Sequence, residues 1–130
     1  MTEAPTIAIV DDDEGVRMSL ASLVRSLGYH ARTYGSGHEF LRADIAEEPA
    51  CMIADVQMPA MTGDKLQEAL VSAGRRFPII FMTAFPTEDV RCRVMANGAH
   101  CFLVKPTDGE TIIRCIEDAL AVPLTAPRLA

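Results

Sequence analysis

No apolar run in this chain approaches the ~18 residues that a bilayer-spanning helix needs. The N-terminus carries Glu3 and then an acid triplet where a secretory segment would carry basic residues. A soluble, unexported, cytoplasmic protein with no membrane contact is therefore expected. Lysine and arginine are also scarce, 12 against 18 acidic residues for a formal net charge of −6, and they form no cluster. Without a basic patch there is no electrostatic footprint for a phosphate backbone, which argues against direct nucleic-acid binding. The four cysteines, Cys51, Cys92, Cys101 and Cys115, have neither the C-x-x-C spacing of zinc and redox sites nor the density of a disulfide scaffold. Reduced, mostly buried thiols are the expectation. His30, His38 and His100 contain no i, i+4 pair, which leaves ordinary surface or packed histidines. Neither G-x-G-x-x-G nor G-x-x-x-x-G-K-[ST] occurs, nor any internal repeat or low-complexity segment.

What is present suffices for one domain with one core: 130 residues, 49% of them hydrophobic and 23% charged. Four short runs, TIAIV (6–10), ACMIA (50–54), PIIFM (78–82) and CFLV (101–104), are nearly continuously apolar. Strands covered on both faces read this way. A weaker, more polar strand, YHARTY (29–34), suits a sheet edge. Between and after them, apolar residues recur at helical spacing: Val16, Leu20, Leu23, Val24 and Leu27; Phe40, Leu41 and Ile45; Leu66, Ala69, Leu70 and Ala73; Val90 and Val94; Ile112, Ile113, Ile116 and Leu120. Gly28 and the Asn97-Gly98 pair fall just past helices, where a left-handed cap is wanted, and Pro59 and Gly63 read as breakers in the loop after the third strand. Alternation of this kind predicts an α/β doubly wound, five-stranded parallel sheet with right-handed crossovers. The ending AVPLTAPRLA (121–130) is aperiodic and reads as a frayed end or the start of a linker. Met52, Met58, Met61, Met82 and Met95 read mostly as core gap-fillers.

The stretch IAIVDDDEGVRMSL (7–20) poses the chemical question, because Asp11, Asp12 and Asp13 follow a strand directly. At ~4 Å and an effective dielectric of ~20, each pair of ionised carboxylates costs roughly 4 kcal/mol. The side chains fan into water, or a cation sits among them, or one stays protonated. In an open parallel sheet, ligands bind beyond the carboxyl ends of the strands. Those ends deliver Asp11 and Asp12, then Asp55, then Thr83, then Lys105 followed by Pro106. Each alone has an ordinary reading as a cap or turn residue. Together they bring a carboxylate cluster, a hydroxyl and an ammonium to one edge. A hard cation such as Mg²⁺ fits such oxygen ligands and leaves room for phosphate oxygens. Asp55 is then a candidate nucleophile that takes a phosphoryl group as an acyl phosphate.

The pieces IVDDD, ADVQMPAMTGDKL, IIFMTA and CFLVKP, in this order and at these intervals, resemble the receiver domain of the two-component response regulators, closest to its FixJ-like branch. The resemblance covers residues 5 to 122. It implies a flavodoxin-like, CheY-like (βα)5 fold with strand order 2-1-3-4-5, and one receiver domain over 1–130, with a core of about 5–122 and a tail or linker start at 123–130. It implies Asp55 as phosphoacceptor and Mg²⁺ as cofactor. The metal would be bound by Asp12 directly, Asp11 mainly through water, Asp55, and the backbone carbonyl of Gln57. Thr83 and Lys105 would contact the phosphoryl oxygens, and the Lys105-Pro106 bond would be cis. On modification Thr83 would gain a partner it lacks beforehand, and Phe102 would fill the space it vacates. The fourth helix, fifth strand and fifth helix, around 87–118, would form the output face. The implied partners are a sensor histidine kinase upstream, and a downstream effector or a homodimer through that face. Thr107 departs from the aromatic residue many members carry after Lys-Pro.

Two rival readings remain at this stage. One is a metal-dependent phosphatase or phosphotransferase with an aspartyl-phosphate intermediate, which lacks the second acid two residues after Asp55 that would serve as general acid. The other is a phosphorylation-independent interaction module of the same fold. The favoured expectation is a signalling acceptor and not an enzyme, limited to self-phosphorylation and slow autodephosphorylation.

Overall fold

The computed structural model describes residues 4–121. Beyond residue 121, the expected tail lies outside the described residues. Five strands, β1 (Thr6–Val10), β2 (His30–Tyr34), β3 (Cys51–Asp55), β4 (Ile79–Thr83) and β5 (Cys101–Val104), alternate with five helices. These are α1 (Glu14–Ser26), α2 (Gly37–Arg42), α3 (Gly63–Ser72), α4 (Glu88–Ala96) and α5 (Gly109–Ala121). All strand pairs are parallel, in the order β2-β1-β3-β4-β5. The doubly wound α/β architecture is as the alternation predicts, and no helix among the described residues is long and apolar enough to cross a membrane.

Alternate residues of each strand feed two cores. On one side Ala8, Val10, Met52, Ala54 and Phe81 meet Phe40 of α2, Leu66 and Leu70 of α3, and Val94 of α4. On the other, Ile7, Ile9, Ile53, Ile80 and Met82 meet Leu20, Ala21 and Val24 of α1 and Ile112, Ile116 and Ala119 of α5. Each such aliphatic side chain, fully buried, contributes about 1.5–3 kcal/mol. Caps set the helix starts: Asp13 accepts from the Val16 amide, Ser36 from Glu39, Thr87 from Val90 and Asp108 from Thr111. Gly28 and Gly98 follow α1 and α4 at φ +91° and +101°, as a left-handed helix exit requires.

Four expectations are corrected. β3 and β4 run one residue later than their apolar runs, so Asp55 and Thr83 are the last residues of strands and not the first of loops. The CFLV run is not covered on both faces: β5 is the sheet's second edge and is half-buried, with Val104 exposed. Ile45 is not helical, because Ala43 turns extended (φ −67°, ψ 135°) and ends α2; Ile45 packs against the core from the following loop. Gly63 does not break the loop but opens α3.

Gly63 also fixes how α3 meets β3. A Cβ there would lie 2.3 Å from the Asp55 carbonyl oxygen, while the Gly63 amide donates to the Val56 carbonyl at 2.8 Å. Only a residue without a side chain allows that approach. Gly63→Ala is expected to lower stability by about 1–3 kcal/mol through overpacking against backbone that cannot yield; the urea midpoint reads it, and an unchanged midpoint would contradict the packing argument.

Candidate functional site

Parallel register brings the carboxyl ends of the strands to one rim. Asp55 of β3 pairs with Met82 of β4, and Thr83 pairs with Val104 of β5. Asp11 and Lys105 sit one residue beyond β1 and β5, anchored by the Asp11 amide on the Tyr34 carbonyl (3.1 Å) and the Lys105 amide on the Thr83 carbonyl (2.8 Å). Asp11, Asp12 and Asp55 each offer a carboxylate oxygen within 4.8 Å of the others. Asp11 and Asp55 are buried, at 2% and 7% exposed, whereas Asp12 faces solvent.

One ammonium serves this cluster. Lys105 Nζ lies 3.0 Å from Asp11 Oδ2 and 3.3 Å from Asp55 Oδ1. The other oxygen of Asp11 accepts the Asp13 amide at 2.9 Å, and Arg17 donates to the Asp11 carbonyl at 2.7 Å. Asp13 points away from the cluster, as the cap of α1. Burial raises the Asp55 carboxyl above its ordinary range, the Asp11 charge adds to the effect, and Lys105 opposes it. Burial also works against the Lys105 ammonium, but the bonds and charges of Asp11 and Asp55 outweigh it and hold Lys105 above its ordinary value. The rim thus carries more negative charge than its lysine offsets. The Lys105-Pro106 peptide is cis.

Thr83 is fully buried, and its hydroxyl is engaged on both sides. It donates to Gln57 Oε1 and accepts the Phe85 amide at 3.0 Å. The expectation that it lacks a partner is corrected: the Gln57 side chain, weighed in the sequence only for its carbonyl, supplies one. Phe102 is half-buried against the cluster that holds Val94 and Ala99. Register puts it beside Phe81 and on the same sheet face as Thr83. An open apolar groove lined by Val16, Leu20, Pro106 and Ile112 runs up to Lys105. Sequence reading missed Gln57's side chain, the Arg17 contact and the Phe85 amide, none of which has a local signal. The close approach at Gly63 had one, a glycine shortly after a strand-end acid.

The expectation of mostly buried thiols is corrected as well: Cys51 is buried, Cys101 and Cys115 are half-buried, and Cys92 is exposed. Of the five methionines read as core gap-fillers, Met52, Met58 and Met82 are core residues, Met61 packs against the core, and Met95 is partly exposed.

A parallel sheet whose carboxyl rim gathers acids, a threonine and a lysine defines a class, and comparison with known proteins gives the family. The model of the response regulator receiver domain matches residues 7–117, and the chain belongs to this family, the receiver domains of two-component response regulators. The transcriptional regulatory protein TdiR of Thauera aromatica is 36% identical over 92% of this chain and 52% of its own length. FixJ of Azorhizobium caulinodans is 33% identical over 92% and 57%. The chain spans about half the length of the curated relatives it matches. Among solved structures, FixJ-N superposes with a TM-score of 0.84 at 29% identity, covering 97% of this chain and all of the other. The response regulator StyR does so at 0.81 and 37%, over 90% and 59%.

Crowded, half-neutralised charge makes a direct prediction. In metal-free protein, Asp55→Asn is expected to raise stability by on the order of 1 kcal/mol, a few degrees in Tm, because the repulsion removed exceeds the partial pairing with Lys105. Thermal unfolding in the presence of a chelator measures it. A lower Tm would show the Lys105 contact to be the larger effect.

Proposed function

We propose that this domain accepts a phosphoryl group on Asp55 from the phosphohistidine of a sensor histidine kinase, with Mg²⁺ required, and that the modification alters the face formed by α4, β5 and α5. The observation that carries this reading is the convergence on one rim of Asp11, Asp12 and Asp55, with carboxylate oxygens within 4.8 Å of one another, and of Lys105 against Asp11 and Asp55. The donor set suits Mg²⁺: it is all oxygen, it is crowded, and its negative charge exceeds the lysine's. Asp12 directly, Asp11 mainly through water, Asp55 and the Gln57 carbonyl would hold the ion. When bound, Mg²⁺ supplies positive charge to the phosphoryl oxygens.

The chain's own residues do the rest. An Asp55 carboxylate oxygen bonds to phosphorus as the P–N bond of the donor breaks, and the imidazole leaves with that electron pair. The Lys105 ammonium, already between Asp11 and Asp55, is placed to meet the new oxygens. Thr83 exchanges Gln57 Oε1 for a phosphoryl oxygen, a charge-assisted bond and the stronger of the two. Phe102, on the same sheet face, follows by packing, since it has no hydroxyl to hold it outward.

Phe85, Val104 and Met95, at 72%, 49% and 38% exposed, give the α4-β5-α5 side an apolar character. It suits a downstream effector or a second copy of the chain. We read residues 1–130 as one receiver domain with its core at about 5–122, acting in the cytoplasm, touching neither nucleic acid nor membrane itself, within a regulator of transcription. It is a phosphoacceptor and not a turnover enzyme.

Incubation with Mg²⁺ and acetyl phosphate is expected to add one phosphoryl mass per chain, absent with chelator and absent in Asp55→Asn. Multiple turnover of a small phosphate ester would favour a phosphotransferase instead. Thr83→Ala is expected to take the phosphoryl group yet lose phosphate-dependent NMR shifts around Phe102; unchanged shifts would exclude the Thr83 to Phe102 coupling.

A further inference from the structure

The amino end of β5, opposite the acidic rim, carries a second cluster. Cys101, the first residue of the strand, directs its thiol to Cys115 of α5, with the sulfurs 3.1 Å apart. Both are free and half-buried, and Cys101 lies on an edge strand that no further strand among the described residues covers. A second contact ties the same segments: His100 Nε2 lies 3.0 Å from Asp118 Oδ2, one helical turn beyond Cys115. The other thiols are placed differently. Cys51 is wholly buried at the start of β3, and Cys92 is exposed on α4, across the sheet.

We propose that Cys101 and Cys115 form a reversible dithiol–disulfide modification site that reacts with hydroperoxides. The sulfurs need to approach by only about 1 Å to reach bonding distance, a side-chain adjustment. The Cys101 S–H donates to the Cys115 sulfur, which leaves Cys115 as the attacking sulfur and Cys101, its thiol pushed up to about 12 by burial, as the second. The Cys115 sulfur attacks one peroxide oxygen and gives up its proton: an S–O bond forms, the O–O bond breaks, and the departing hydroxide takes that proton as water. The Cys101 sulfur then attacks the sulfenic sulfur. The S–S bond forms, the S–O bond breaks, and hydroxide leaves with the Cys101 proton as a second water. Two thiols and one hydrogen peroxide give one disulfide and two waters, with both electrons passing to the peroxide.

The product staples α5 to β5, two of the three elements of the proposed output face, at the end remote from Lys105. Disulfides of this kind in reducing compartments are characteristically transient and redox-sensing.

The test treats the intact chain with stoichiometric hydrogen peroxide and digests it with trypsin without reduction. Cleavage after Arg91, Arg93 and Arg114 leaves Cys51, Cys92, Cys101 and Cys115 in four different peptides. The expected result is a crosslink between the peptides of Cys101 and Cys115, reversed by dithiothreitol, and a Tm higher by roughly 5 °C in the oxidised form. In Cys101→Ser the crosslink disappears and dimedone labels Cys115. A Cys51–Cys115 crosslink, intermolecular dimers through Cys92 alone, or four titratable thiols after treatment would overturn the assignment. The wild-type peptide map decides the matter even where a serine variant folds poorly.

Discussion

Repulsion among three carboxylates, opposed by one ammonium, is the constraint around which the rest of the rim is arranged. The parallel sheet makes the conflict unavoidable, because the register that pairs Val10 with Ala54 also brings the acids that follow them, Asp11 and Asp55, side by side. Local contacts relieve it only in part: the Asp13 amide donates to the Asp11 carboxylate, but Asp11 and Asp55 are buried, and the ammonium that reaches both comes from beyond β5, far along the chain. Lys105 is held in place by its amide on the Thr83 carbonyl, and Asp11 by its amide on the Tyr34 carbonyl and by the Arg17 guanidinium, which donates to the Asp11 carbonyl. The sheet that creates the repulsion therefore also positions the one charge that moderates it. A rim left with excess negative charge favours a divalent cation and then a phosphoryl group, the chemistry proposed above.

Much of the fold is legible in the sequence because burial leaves a mark in composition. β1, β3 and β4 are inner strands and read as unbroken apolar runs, while HARTY, an edge, does not. The one-residue shift of β3 and β4 shows where that signal stops: pairing is a backbone property, and Asp55 and Thr83 pair although their side chains are polar. CFLV misleads in the opposite sense. Its apolar residues serve an edge strand that is only half-buried, and composition alone does not separate such an edge from an inner strand. At the site, strand-end acids, threonine and lysine are readable because the fold class says where strand ends go. The Thr83–Gln57 bond and the Cys101–Cys115 contact are not, since each depends on side-chain direction across the tertiary structure.

The way α4 is fastened bears on how a change at the rim could spread. This helix buries a single apolar side chain, Val94, worth about 1.5–3 kcal/mol. Val90 packs against the same core half-buried, and polar contacts with α3 add to the hold: Arg93 to Asp64 at 2.8 Å and the Gln67 amide to the Val94 carbonyl at 2.9 Å. The ion pair is half open to water on the arginine side and contributes at most about 1 kcal/mol. The Gln67 bond adds a similar amount, but Gln67 Oε1 is buried with no partner, a cost of about 1–3 kcal/mol that offsets it. By contrast, inverting a two-state equilibrium from 1:99 to 99:1 takes ~5.5 kcal/mol. The hold on α4 is of that order, so the exchange proposed for Thr83, from a neutral amide to a phosphoryl oxygen, would act on a helix whose position is weakly defended. Val94, Val90 and Phe102 share one packed cluster; the inward move proposed for Phe102 would therefore press on the apolar contacts that anchor α4.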